Sequence, residues 1–355
     1  MPDSTMSASG VAVGVADRSE LEVMPGSTEP RSLATPFDVT PRTMPILPSG
    51  ALRNPTPARA YALEVVGRWQ DLESQVAAWD DLAAHAIEPN HFFSAGAVLA
   101  AMRHLQLGAE PAFVVVRAIW PDSPARPSVW CGFFPFFRYR TYHGVLVRNL
   151  RLLRHRYCFL RVPLVRTDCA AEVLQLVFDW LDTGDAAIVE LGEQTGQGPY
   201  AQALAAFLHK RSGGAWLSGA HWRALFVRKD GDETYFSRSV SAGKLKELRR
   251  QERRLGERGE LRFEGLSMNG DVDAAIDEFL ELERGGWTGP AGTAMSCLQA
   301  DRDFFAEVVR EAWRSDRLRM TTLRLDGHPV AMKCNFIAAP GSFAFKIAYA
   351  EELSQ

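Results

Sequence analysis

Cysteine is scarce in this chain of 355 residues. The five present, Cys131, Cys158, Cys169, Cys297 and Cys334, form no C-x-x-C pair and have no histidine partners at metal-ligand spacing. A structural metal and a disulfide framework are therefore not expected, and the thiols read as free or buried in a reducing compartment. Long apolar runs are also missing. The richest, Cys131–Phe137, is short and interrupted by Pro135, far from the roughly 20 residues of a membrane span. No basic segment followed by an apolar core opens the chain, so a secretory leader is not expected and the location reads as cytoplasmic. A strong charge bias is lacking too: the net charge is −3, so any attraction to nucleic acid or anionic membrane must be local. His91, His155 and His221 have no serine or cysteine in a recognisable nucleophile turn, which argues against covalent catalysis.

Residues 1–57 are crowded with Pro, Ser, Thr and Gly. Pro36, Pro41, Pro45, Pro48, Pro55 and Pro57 recur too closely for a helix and remove strand donors. This stretch is expected to be a disordered tail. Beyond it the periodicity changes. Tyr61–Val66 reads as a strand and Trp69–His85 as an amphipathic helix. A second helix should run from a cap at Ser94 to Leu105. Strands are predicted at Phe113–Ile119, Val129–Phe137 and Tyr157–Val162. A helix at Ala170–Leu181, a strand at Ala187–Leu191, a helix at Pro199–Lys210 and a strand at Trp222–Val227 follow.

The second half starts with a basic helical segment, Ser237–Gly259, then a strand at Leu261–Leu266. Helices are predicted at Val272–Arg284 and Asp301–Arg314, the former with an apolar stripe of Ile276, Phe279, Leu280 and Leu282. Three strands end the chain: Arg319–Leu325, Pro329–Ile337 and Ser342–Tyr349. Asp326-Gly327 reads as a hairpin turn needing positive φ, and Pro340-Gly341 as another turn. The order β-α-α-β-β-β thus occurs twice, without any repeat in the residues. Three successive strands imply antiparallel neighbours, and the later strand-helix-strand units imply parallel crossovers. The fold class is α/β with mixed sheets, in two related domains.

Four runs carry a family resemblance: Lys246–Leu255 (KELRRQERRL), Leu282–Ala294 (LERGGWTGPAGTA), Leu323–Ala331 (LRLDGHPVA) and Phe345–Glu351 (FKIAYAE). In this order and spacing they resemble tandem GNAT acetyltransferases of the CelD (cellulose-biosynthesis) type, related to the Fem-type aminoacyltransferases. The resemblance covers roughly 220–355 and is weaker over 61–215. It implies a tail at 1–57, a first GNAT-like domain at 58–219 and a second at 220–355. It further implies acetyl-CoA or another acyl-CoA as donor, no metal, and a small-molecule or glycan acceptor. In such domains a Gly-containing turn and helix N-terminus after the fourth strand receive the donor's pyrophosphate. Here the chain stops at Gln355, so that part of the second domain is expected to be missing. In the first domain Val162–Asp168 makes a poor phosphate cradle.

The candidate site residues follow. Glu281 and Glu283 could act as general base toward an amine or hydroxyl, Glu283 being preferred. Trp287 could wall an acceptor pocket, after Gly285 and Gly286 end the helix with positive φ. On the last strand Tyr349 could protonate a leaving thiolate, and Lys346 could hold an acceptor's anionic group. Strict alternation puts Phe343, Phe345, Ile347 and Tyr349 on one face and Lys346 on the other, so both reach one groove only with a bulge. The basic helix has seven Lys and Arg against three Glu between Lys244 and Arg258. Lys246, Arg250 and Arg253 lie on one face of it, which could grip a phosphate-bearing donor, an anionic glycan or a tRNA backbone. An aminoacyl-tRNA-dependent transferase and a non-catalytic binding module are the alternatives to an acyl-CoA-dependent transferase.

Overall fold

The computed structural model describes residues 59–184, 186–211, 214–223, 225, 240–286, 289 and 292–353. The predicted tail at 1–57, Trp287 and half of the predicted strand Trp222–Val227 lie outside the described residues. Of that strand, Trp222, Arg223 and Leu225 are described and are not in a strand.

The first half runs β1 (Ala60–Val66), α1 (Val76–Ala84, entered through a 3-10 turn at Trp69–Gln75), α2 (Ala95–His104), β2 (Glu110–Ile119), β3 (Val129–Tyr142) and β4 (Val145–Leu152). It continues with β5 (Leu164–Val165), α3 (Ala170–Thr183), β6 (Ile188–Glu190) and α4 (Pro199–Lys210). The second runs α5 (Ala242–Gly256), β7 (Leu261–Gly265), α6 (Val272–Gly285), α7 (Gln299–Arg314), β8 (Leu318–Leu325), β9 (His328–Ala338) and β10 (Gly341–Tyr349). The doubled β-α-α-β-β-β order is present. The first sheet is ordered β1-β2-β3-β4-β6 and the second β10-β9-β8-β7. Neighbours are antiparallel except β4 and β6, which are parallel across α3.

One predicted strand is overturned. Tyr157–Val162 has no regular structure, and the strand is Val145–Leu152. The polar Asn149 in its middle conceals it. Asn149 is buried because a bulge between Tyr139 and Thr141 of β3 turns carbonyls toward it, and its amide donates to Tyr139 O, Thr141 O and Val147 O. The segment after β4 plugs the crevice beyond the parallel pair. Arg161 is fully buried there, 3.4 Å from Glu193 and 4.0 Å from Glu190. A Cβ on Gly192, just past β6, would sit 2.6 Å from its guanidinium.

Helix α3 presses on β3 where the strand carries Gly132. A Cβ there would lie 2.6 Å from Cγ1 of Val173, a stiff β-branched side chain. Gly132→Ala should cost about 1–3 kcal/mol. In the Val173→Ala background the same change should cost much less. Urea unfolding of the two single variants and the double variant measures this.

The halves share one core. Phe92 meets Phe343 edge-on, Tyr157 stacks on Phe304 at 5.4 Å, and His91 stacks on Phe336 at 4.0 Å. At the rim, Arg103 and His104 of α2 bind Glu307 of α7, and Arg317 binds Asp80. His91 has neither ring nitrogen hydrogen-bonded, and burial pushes its pKa down to about 3, with Arg317 adding to the effect. The unfolded chain takes up this proton near pH 6.5, the native protein only near 3. Stability should therefore be flat above 6.5 and fall as the pH drops toward 3, by about 2 kcal/mol at pH 5. Urea unfolding at pH 7 and pH 5 checks this, and His91→Phe should lose that part of the pH dependence.

Candidate functional site

The site is built where α6, the loop after it and β10 meet the first half. The apolar stripe of α6 runs through Ile276, Phe279 and Leu280, and position 283 continues it at i+7. Glu283 is therefore turned inward and only 4% exposed, whereas Glu281, two residues back, faces solvent. A buried carboxylate needs partners. Glu283 accepts a hydrogen bond from the backbone N–H of Met295 at 2.9 Å and an ion pair from Lys346 at 2.5 Å.

Lys346 reaches it because β10 bulges. The register shifts between Ala344 and Lys346, with Phe345 as the extra residue. Past the bulge, Lys346 and Ala348 take the core face while Ile347 and Tyr349, 58% and 42% exposed, turn to the outer one. This corrects the alternation expected for Phe343, Phe345, Ile347 and Tyr349. Phe345 is buried with Lys346 beside it, and the Tyr349 side chain is on the face opposite Lys346 and Glu283. One row of the outer face is apolar. Phe263, Leu323, Ala331 and Tyr349 stand in register across its four strands.

The first half adds Arg156 and Tyr157, the second of them the start of the predicted strand Tyr157–Val162. The Lys346 ammonium lies 5.8 Å from the Tyr157 ring centroid, a cation–π contact. The Tyr157 phenol lies beside the carboxylate of Asp301 of α7, which is itself nearly fully buried and paired with Arg156 at 3.0 Å. Burial, then the Asp301 carboxylate, hold the Tyr157 phenol well above its ordinary pKa, so it keeps its proton. The result is a chain of charged and polar groups that runs inward from the exposed Arg156 to the buried Asp301 and Tyr157, beside Lys346–Glu283. Only Glu283 and Lys346 of this set were expected as site residues. Asp301 stands in the polar first turn of α7, Gln299–Asp303, where nothing local marks it for burial.

The loop between α6 and α7 is tight. Gly286 and Gly289 accept the backbone N–H groups of Gly289 and Gly292. A Cβ on Gly289 would fall 1.9 Å from the carbonyl oxygen of Arg284, so only glycine fits. The expected positive φ at Gly285 and Gly286 is not found: Gly285 remains helical and Gly286 has φ −82°, while Gly292 carries the positive φ of 68°.

Arg250 and Arg253 stand on α5, a helix without a buried residue, and are paired within it to Glu247 and Glu257. Neither is brought to the Glu283 cluster.

Residues 242–355 match the family model of the acetyltransferase (GNAT) domain. Over these residues the chain is similar to GNAT acetyltransferase domains, a fold that implies an acyl-CoA donor. No curated relative matches the chain. Among solved structures it is similar to a conserved protein of unknown function from Bacteroides thetaiotaomicron. The two are 12% identical over 78% of this chain and 79% of that one, with a TM-score of 0.39. It is also similar to a tandem GNAT protein from the clavulanic acid biosynthesis pathway, solved without acetyl-CoA. That pair is 14% identical over 82% and 80% of the two chains, with a TM-score of 0.26. At these scores the likeness carries no argument.

The described residues fit the donor's diphosphate poorly. Beyond β10 come Glu351 and Glu352 in a 3-10 turn, two carboxylates that would repel it. In the first half the crevice past β4 and β6 holds Arg161, and the start of α3 carries Asp168 and Glu172. No group of His, Cys, Asp and Glu suited to a metal ion, and no helix long and apolar enough to cross a membrane, occurs among the described residues.

Proposed function

We propose that the chain is an acyltransferase that moves an acyl group, acetyl by preference, from acyl-CoA to an amine or hydroxyl of a sugar or polysaccharide precursor. The observation that carries this reading is the buried Glu283–Lys346 pair inside the GNAT-like domain. Attack on a thioester needs a free lone pair on the acceptor. Glu283, held by Lys346 and the Met295 N–H, is the group that accepts the acceptor's proton. Lys346 orients Glu283, and Tyr157, whose O–H faces the Asp301 carboxylate, presents its phenolic oxygen to a hydrogen-bond donor of the acceptor. The acceptor class rests on the CelD-type sequence resemblance. No step is assigned to a bound diphosphate, since the described residues do not cradle one.

Incubation of the purified chain with acetyl-CoA and a panel of amino sugars and oligosaccharides, read by chromatography of CoA and product, tests the proposal. Acceptor-dependent CoA release is expected. A second reading, a binding module that takes the acceptor without acyl transfer, is favoured by the carboxylates at 351 and 352. Acceptor binding with no affinity for acetyl-CoA at millimolar concentration would establish that reading instead.

A further inference from the structure

On the far side of the first half, two cysteines 38 positions apart are brought together. Cys131 lies on β3 and Cys169 at the start of α3, both no more than 1% exposed. The backbone N–H of Arg166 donates to the carbonyl of Cys131 at 2.8 Å and ties the two segments. Each thiol also lies near a backbone carbonyl, Cys131 Sγ 3.6 Å from Val129 O and Cys169 Sγ 4.0 Å from Arg166 O. One nitrogen of Arg59, Nη2, donates to both sulfurs, at 3.3 Å to Cys131 and 3.7 Å to Cys169, while Nη1 pairs with Asp168 at 2.9 Å. The guanidinium covers the pair, is itself partly exposed, and stacks over Tyr61 at 5.1 Å. Tyr61 also borders a shallow surface pocket of about 470 Å³ with Ala171, Glu172, Gln175 and Leu176.

A buried thiol in apolar surroundings is inert. A thiol pair under a shared guanidinium is not, because the cation stabilises a thiolate and the second thiol stands ready to resolve an oxidised first. We propose that Cys131 and Cys169 form a redox-active dithiol that takes hydroperoxides, with Cys131 the attacking sulfur, Cys169 the resolving one and Arg59 the positioning residue. The Cys131 thiolate attacks a peroxide oxygen. The O–O bond breaks, leaving a sulfenic acid and an alkoxide or hydroxide that takes a proton. Cys169 then attacks the sulfenic sulfur, forms the S–S bond and releases water. Overall two thiols and one hydroperoxide give a disulfide, an alcohol or water, and a further water. The assignment of roles agrees with the local electrostatics. The Cys169 thiol, with help from Arg59 and against burial, holds the Cys131 pKa down to about 6, whereas Cys169 is raised by its partner and by burial. Cys158 and Cys334, buried without such help, are raised, Cys158 to about 12.

Treating the reduced full chain with one equivalent of hydrogen peroxide, then alkylating and mapping peptides, tests the proposal. The expected product is an intramolecular Cys131–Cys169 disulfide, reversed by dithiothreitol. In Cys169→Ser a dimedone-trapped sulfenic acid should appear at Cys131, and Arg59→Gln should move the pH of half-maximal oxidation rate upward by about one unit. Retention of all five free thiols, or oxidation confined to the exposed Cys297, overturns it. Both results come from the unaltered chain, so they do not depend on the variants folding.

Discussion

Glu283→Gln should lower acyl transfer by about 10²–10⁴-fold, the usual contribution of a positioned base. The substitution keeps the shape and removes the ability to take a proton. Its stability cost should be modest: the Lys346 ammonium freed by the change is 20% exposed and retains the Tyr157 ring. The loss should fall on kcat with little change in acceptor KM, since the proton moves in the transition state. Steady-state kinetics with the acceptor found in the panel, beside circular dichroism to show an intact fold, gives the answer.

Lys346→Met should have the opposite profile, with a large effect on stability. It leaves the buried Glu283 carboxylate deprived of its counter-charge. Breaking a buried pair from one side costs about 3–5 kcal/mol. Neutralising both members, as Glu283→Gln with Lys346→Met, removes the stranded charge and should recover most of the loss. Urea midpoints at unchanged denaturant slope measure all three variants. If the single and double variants are equally unstable, the ion pair is not what holds β10 against α6.

These two residues also show what could be read before the fold was known. Glu283 was legible as a candidate base beside Glu281 but its burial was not read, although position 283 continues the stripe of Ile276, Phe279 and Leu280 at i+7. Lys346 was legible as a candidate but not its direction, because the side of a strand on which a residue falls depends on a bulge, and the bulge at Phe345 arises from pairing with β9. The same limit misplaced Tyr349. Strand β4 was hidden by Asn149, whose burial makes sense only once the carbonyls of β3 are seen around it. Tyr157 and Asp301 were out of reach for a different reason. They come from opposite halves, and nothing local to either marks the other. The repeated order of elements, in contrast, was visible throughout, because hydrophobic periodicity reports on one element at a time.

The central claim is that both halves build one functional centre. The most direct test is a double-mutant cycle between Tyr157 of the first half and Asp301 of the second, with Tyr157→Phe, Asp301→Asn and the pair together, read by urea unfolding. A phenol packed against a buried carboxylate from the other half predicts a coupling of about 0.5–3 kcal/mol. Strict additivity of the two changes would contradict a shared centre.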